Sequence, residues 1–151
     1  MRTPSVPATA ESGITILVLA LLLSIQPVTT DLYLPALPTL TYALGASVTQ
    51  GQLTLSALLL AFGCSQLFWG PLSDRWGRRP ILLAGLLLYT LASIGNTLAA
   101  SMDLLILWRT LQGVAMGAVV MCGRAIVRDL YTPVAGARAM SKALTGLGVV
   151  A

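Results

Sequence analysis

Two charges stand inside long apolar stretches of this sequence, Asp31 and Arg109, and they are the side chains best equipped for chemistry. A carboxylate can take up and release a proton, and a guanidinium can hold an electron-rich group. Either one inside a membrane-crossing stretch is expensive enough to be a functional hypothesis by default. Asp31 falls about 5 residues before the end of its apolar run and Arg109 about 7 after the start of its own, so the helical rise puts them roughly 8 and 10 Å from the same membrane face. The competing reading is that Asp31 lies in the headgroup interface and Arg109 snorkels outward. Arg109, Gln112 and Met116 recur at i, i+3 and i+7 and share one helix face, offering a cation, an amide and a soft apolar contact. Desolvation favours a protonated carboxyl and a nearby guanidinium opposes it, so a substrate cation could displace the proton. Gln26 and Tyr33 are weaker candidates for the same cavity. A tyrosine near a helix end also serves as an interfacial anchor, and a lone glutamine in a span also bonds a neighbouring helix.

The elements that must position these groups follow from composition. The chain has 151 residues, of which 56% are hydrophobic and 9% charged, against roughly a quarter charged in soluble domains. It reads as an all-α membrane protein. A tail over residues 1–13 precedes helices expected at about 14–36, 48–70, 80–99 and 102–123, with a further incomplete one at 134–151, each long enough to approach the ~20 residues a span needs. The first run is too long, and too lacking in a small-residue cleavage site, for a signal peptide. Pro27 should kink the first helix, and Pro35 and Pro38 should end it. An uncharged turn over residues 39–46 follows, with Ser47 or Thr49 as the next N-cap. Ala57, Ala61 and Ser65 at four-residue spacing, and Gly113 with Gly117, invite close helix packing. Trp69 and Trp76 suit the headgroup zone. Pro80 fits the first position of the third helix. Ser101 and Asp103 suit the start of the fourth, and Thr132-Pro133 that of the fifth.

The basic residues Arg2, Arg75, Arg78, Arg79, Arg124, Arg128, Arg138 and Lys142 all fall on one side of these spans, which places the N-terminus in the cytoplasm. Their placement in short turns explains the net charge of +4 without nucleic acid. With no histidine, and with Cys64 and Cys122 both inside apolar runs, neither a metal site nor a disulfide framework is indicated, and both cysteines read as buried, reduced packing residues. No nucleophile–base pair or phosphate-binding loop suggests an enzyme.

Residues 70–82, GPLSDRWGRRPIL, pack charge into a short turn between two apolar runs. Their ordered pattern, Gly70, Leu72, Asp74, Arg75, Gly77, Arg78, Arg79, resembles the loop between helices 2 and 3 of major facilitator superfamily transporters. Three more segments narrow the resemblance. Residues 30–38, TDLYLPALP, and 124–130, RAIVRDL, are similar to the Bcr/CflA branch of drug-resistance transporters, and residues 109–113, RTLQG, resemble the helix 4 motif of proton-driven antiporters.

The resemblance implies a twelve-helix protein of two six-helix halves that rock around a central cavity, of which this chain would be an N-terminal fragment of four spans and part of a fifth. It implies proton-coupled export of drugs or small amphipathic metabolites across the bacterial inner membrane, with no cofactor beyond the proton gradient. The implied partners are a small-molecule substrate, protons, the lipid bilayer and a missing C-terminal half. Asp31, Arg109 and Gln112 would couple proton to substrate, with Gln26, Tyr33 and Met116 lining the cavity. Gly70, Asp74, Arg75, Gly77, Arg78 and Arg79 would form a conformational-switch loop. Within it Asp74 would face a helix N-terminus in the missing half, Gly70 would permit close approach, and Gly77 would permit a tight turn. Arg124, Arg128 and Asp129 would form a charge network on the same side, with Asp129 meeting Arg78 or making only a loose surface pair. Helices that expect partners would leave Gln66, Asn96 and Arg109 facing lipid. Two other readings are a small four-helix multidrug transporter acting as an oligomer and a non-transporting truncated product. The former needs an acidic residue deep in the first helix, where Leu23 and its neighbours supply none.

Overall fold

The structure is a computed structural model and describes residues 13–130 and residue 141. Five helices follow in order: α1 (Gly13–Asp31), α2 (Leu37–Ala43), α3 (Val48–Trp76), α4 (Arg78–Thr97) and α5 (Met102–Leu130). The expected tail and the expected helix over 134–151 lie outside the described residues, apart from Gly13 and Ser141.

Two N-termini carry the caps their sequences suggest. The Ser47 hydroxyl accepts from the Gln50 amide at 3.2 Å, and the Gln50 side-chain oxygen accepts from the Ser47 amide at 3.0 Å, a reciprocal capping box. The Ser101 hydroxyl accepts from the Leu104 amide at 3.3 Å, with Asp103 in the first turn of α5.

Elsewhere the boundaries differ from expectation, chiefly at prolines. The first helix leaves regular geometry at Asp31, and tight turns carry the chain on, Leu34 N–H donating to Thr30 C=O at 3.1 Å and Leu37 N–H to Tyr33 C=O at 3.0 Å. Pro38 then begins α2 where an uncharged turn is expected, because in a first turn the missing N–H has no intrahelical acceptor to lose. Likewise α3 continues through Pro71 to Trp76, so most of the expected basic turn is helix. The break shrinks to Gly77, at φ 91°, a conformation glycine adopts readily. The next helix starts at Arg78 rather than Pro80. At its far end α5 runs on to Leu130 instead of stopping near residue 123.

α3, α4 and α5 are each long and apolar enough to cross a membrane, while the apolar stretch of α1 from Leu17 to Asp31 is shorter. Large side chains such as Leu60, Leu67, Phe68 and Leu87 point outward from the bundle, a surface suited to lipid rather than water. The chain is a multi-pass membrane protein.

α5 is the most buried helix, and α3, α4 and α1 all pack against it. Leu23, Leu58, Phe62, Met116 and Val120 form one core cluster, and Ile81, Ala118 and Cys122 a second, against which Trp69 and Leu72 pack. The α3–α5 contact depends on absent side chains. A Cβ on Gly113 would overlap the Leu58 carbonyl oxygen and lie 3.1 Å from Ala61 Cβ, and one on Gly117 would overlap the Ser65 hydroxyl. Backbones this close gain dispersion contacts that lipid tails cannot offer.

Trp69 turns inward against the second cluster. Its indole N–H donates to the Val114 carbonyl at 2.9 Å, joining α3 to α5, as a partly buried indole requires. Cys122 is buried as expected, but Cys64 is exposed.

Gly113→Val should lower the thermal midpoint in detergent, because the Leu58 carbonyl is backbone and cannot yield; overpacking of this kind costs about 1–3 kcal/mol. Gly63, whose Cβ would meet nothing within 4 Å, is the control, and Gly63→Ala should hold or raise the midpoint. Equal melting of Gly113→Val and the parent would contradict the close α3–α5 contact.

Candidate functional site

Arg109 sits two turns into α5 and is only 8% exposed, beside Gln112 at 5%. It neither faces lipid nor snorkels. Its guanidinium carbon lies 3.5 Å from the centroid of the Tyr33 ring, on the turn after α1. A desolvated cation–π stack of this kind is worth about 2 kcal/mol. One terminal nitrogen donates to Gln112 Oε1 at 3.2 Å, and Nε is buried without a protein partner.

Gln112 connects Arg109 to α4. Its Oε1 also accepts from Asn96 Nδ2 at 2.9 Å, and its Nε2 donates to Ser93 Oγ at 3.0 Å. Ser93 in turn donates to the Tyr89 carbonyl at 2.8 Å. Asn96 therefore faces its own protein, because α5 supplies a partner within this chain.

The two phenols tie the cluster to α3 and α1. Tyr33 OH lies 2.6 Å from Thr54 Oγ1, whose hydrogen goes to the Gly51 carbonyl at 2.6 Å, so the phenol is the donor. Tyr89 OH lies 2.5 Å from Thr29 Oγ1, whose hydrogen goes to the Ile25 carbonyl, so again the phenol donates.

The remaining sequence candidates fall differently. Asp31 is exposed, its nearest hydrogen-bond partner being the Thr30 hydroxyl at 3.5 Å. Among the described residues no Lys or Arg nitrogen lies within 4.0 Å of it. The expected influence of Arg109 on Asp31 is thus not exerted through an ion pair: the ring two residues further along the chain occupies the guanidinium. Gln26 is half-buried on α1. Met116, expected at a cavity wall, is fully buried in the core cluster with Leu23 and Phe62. A groove of about 470 Å³ between α3 and α5 is lined by Cys64, Phe68, Trp69, Thr110 and Val114 among others, and by neither Asp31 nor Arg109.

At the opposite end of the bundle Arg78 joins three helices. It reaches Asp74 at 2.6 Å, Asp129 at 3.1 Å and the Ser73 hydroxyl at 2.8 Å, while Ser73 donates to the Gly70 carbonyl at 3.0 Å. Gly70 is buried, and a Cβ there would lie 3.3 Å from the Met121 methyl. Arg75, Arg79, Arg124 and Arg128 are exposed around this cluster.

Sequence reading passed over Tyr89, Ser93, Thr54, Thr29 and Ser73. A signal existed for α4: Tyr89, Ser93 and Asn96 recur at i, i+4 and i+7 in an apolar helix and mark one polar face. Nothing local marks Thr54, whose role depends on where Tyr33 arrives.

Residues 18–151 match the family model of the Major Facilitator Superfamily. The chain is 46% identical over 101 residues to a chloramphenicol resistance protein of Pseudomonas aeruginosa, covering 67% of this chain and 24% of that protein. It is 35% identical over 116 residues to multidrug resistance protein D of Escherichia coli (strain K12), covering 77% and 29% respectively. A bicyclomycin resistance protein homolog of Haemophilus influenzae is 34% identical over 117 residues, covering 78% and 29%. The chain thus spans less than a third of the length of these relatives. Because the family match takes in both charge clusters and all but the first residues of the five-helix bundle, the chain belongs to the Major Facilitator Superfamily, in the company of its drug-resistance members.

Proposed function

We propose that the chain forms part of a proton-coupled exporter of drugs or small amphipathic metabolites in the bacterial inner membrane. Its N-terminus and the Arg78 cluster face the cytoplasm, further helices complete the cavity, and the proton gradient supplies the energy. The observation that carries this reading is the division of labour between Arg109 and Asp31. Arg109 is buried and held by the Tyr33 ring and Gln112, while Asp31, two residues before Tyr33, is exposed with no cation within 4.0 Å among the described residues. A carboxylate not committed to a cation is available to exchange a proton for a substrate. Resistance to chloramphenicol and bicyclomycin in the relatives' names supports an amphipathic drug as cargo. The one-sided basic residues support the orientation.

The orientation predicts that Tyr42→Cys and Arg75→Cys, both at exposed positions, label from opposite sides of the membrane in a cysteine-free background. Tyr42→Cys should react from outside the cell; labelling of both from one side would sink the topology.

The coupling role is tested in the full-length transporter by substrate-induced proton release in detergent. Asp31→Asn keeps size and hydrogen bonding but removes the titrating charge, so release should be lost with expression near normal, and Asp31→Glu should keep part of it. Arg109→Lys loses the planar fork that meets ring and amide together, and should reduce exchange about tenfold or more, the worth of a charged hydrogen bond. Proton release by Asp31→Asn with the parent's amplitude and midpoint would refute the mechanism.

A further inference from the structure

We infer that Ser93 and Asn96 on α4 are positioning residues for Arg109, acting through the Gln112 amide, whose orientation they fix. The coupling role of Arg109 rests on the function proposed above; the positioning itself rests on geometry.

A glutamine amide has one accepting and one donating end, and which end faces Arg109 decides whether the pair attracts. Arg109 is donor only, so it requires the oxygen. Ser93 supplies the complementary constraint. Its hydrogen goes to the Tyr89 carbonyl at 2.8 Å, which leaves its oxygen free to accept, and Gln112 Nε2 meets it at 3.0 Å. The nitrogen end is thereby held against α4 and the oxygen end turned to Arg109. Asn96 Nδ2, donating at 2.9 Å to the same Oε1 that accepts from Arg109 at 3.2 Å, fills the second lone pair. Reversing the amide would set nitrogen against the guanidinium, and oxygen against an oxygen whose hydrogen is committed elsewhere. With Gln112 at 5% exposure and Arg109 at 8%, water is poorly placed to substitute. Without Ser93 the amide loses its anchor, and Arg109 keeps the Tyr33 ring but loses its fixed acceptor.

The test reads Arg109 directly. In the chain labelled with 15N-arginine, the Arg109 Nε–H resonance is identified by its loss in Arg109→Lys. Ser93→Ala and Asn96→Leu should each move or broaden it although Ser93 does not touch Arg109, and Ser93→Thr, which keeps the hydroxyl, should restore it. Thr90→Val, which removes a hydroxyl bonded only to its own helix, should leave it in place and controls for general disturbance of α4. An Arg109 resonance unchanged in Ser93→Ala and Asn96→Leu overturns the inference.

In the full-length transporter, Ser93→Ala should lower proton-coupled exchange about fivefold, the worth of one buried hydrogen bond. In the Arg109→Lys background the same change should add little, whereas a merely structural role would cost the same in both. A shifted resonance combined with normal exchange by Arg109→Lys would support the positioning and remove only the coupling role.

Discussion

A guanidinium buried in an apolar bundle has to be satisfied by its own protein, and here that obligation falls on Arg109. Neither lipid nor bulk water can stabilise it at 8% exposure, and among the described residues no carboxylate meets it. The compensation is built instead from an aromatic face and an amide oxygen, both weaker than an ion pair and both needing to be held in place. Tyr33 is held because its phenol donates to Thr54 on α3. Gln112 is held because its two ends are bonded to α4. One buried charge therefore fixes the relative positions of the turn after α1, α3, α4 and α5.

That arrangement is possible only because the helices approach closely. Gly113 and Gly117 let α5 lie against the α3 backbone at Leu58 and Phe62, and the flanking Gln112 and Met116 then project into spaces whose walls are already set. Arg109 lies one turn before Gly113, on the stretch of α5 whose distance to α3 the glycines determine. A side chain at Gly113 would push α3 and its Thr54 away, and Tyr33 would lose the anchor that keeps its ring over the guanidinium. Packing and polar satisfaction are thus one constraint seen from two sides.

How much of this the sequence made legible depends on the range of the interaction. Ser47 or Thr49, and Ser101 with Asp103, announce helix starts because capping is completed within four residues, and the structure settles the first on Ser47. The spacing of Gly113 and Gly117 announces a close contact, though not with which helix. Residues 70–82 read as a turn because glycine, proline and charge cluster there, yet Pro71 and Pro80 both lie within helices and Gly77 alone breaks the chain. Asp31 and Arg109 stand out in the sequence as charges within apolar runs. The influence expected between them is not an ion pair, since the Tyr33 ring meets the guanidinium once the turn after α1 is folded. Ser93 and Thr54 look ordinary in the sequence because their value lies in the partner whose hydrogen bond they complete.

The Arg78 end is built on a different principle. Asp74 stands in the last turn of α3, where a helix carries partial negative charge, and Arg78 opens α4, where the partial charge is positive, with Asp129 on α5 as the second carboxylate. Either of the first two placements alone is unfavourable by about 0.3–1 kcal/mol. They are tolerable together because each carboxylate neutralises Arg78 and Arg78 neutralises both. With Asp74 61% and Asp129 49% exposed, such pairs contribute little net stability. Separating the start of α4 from the ends of α3 and α5 there exposes charges that water can already reach. Separating the helices around Arg109 would strand a buried cation. Relative movement of these helices is therefore cheaper at the Arg78 end, and the Arg109 end is the fixed point about which it would occur.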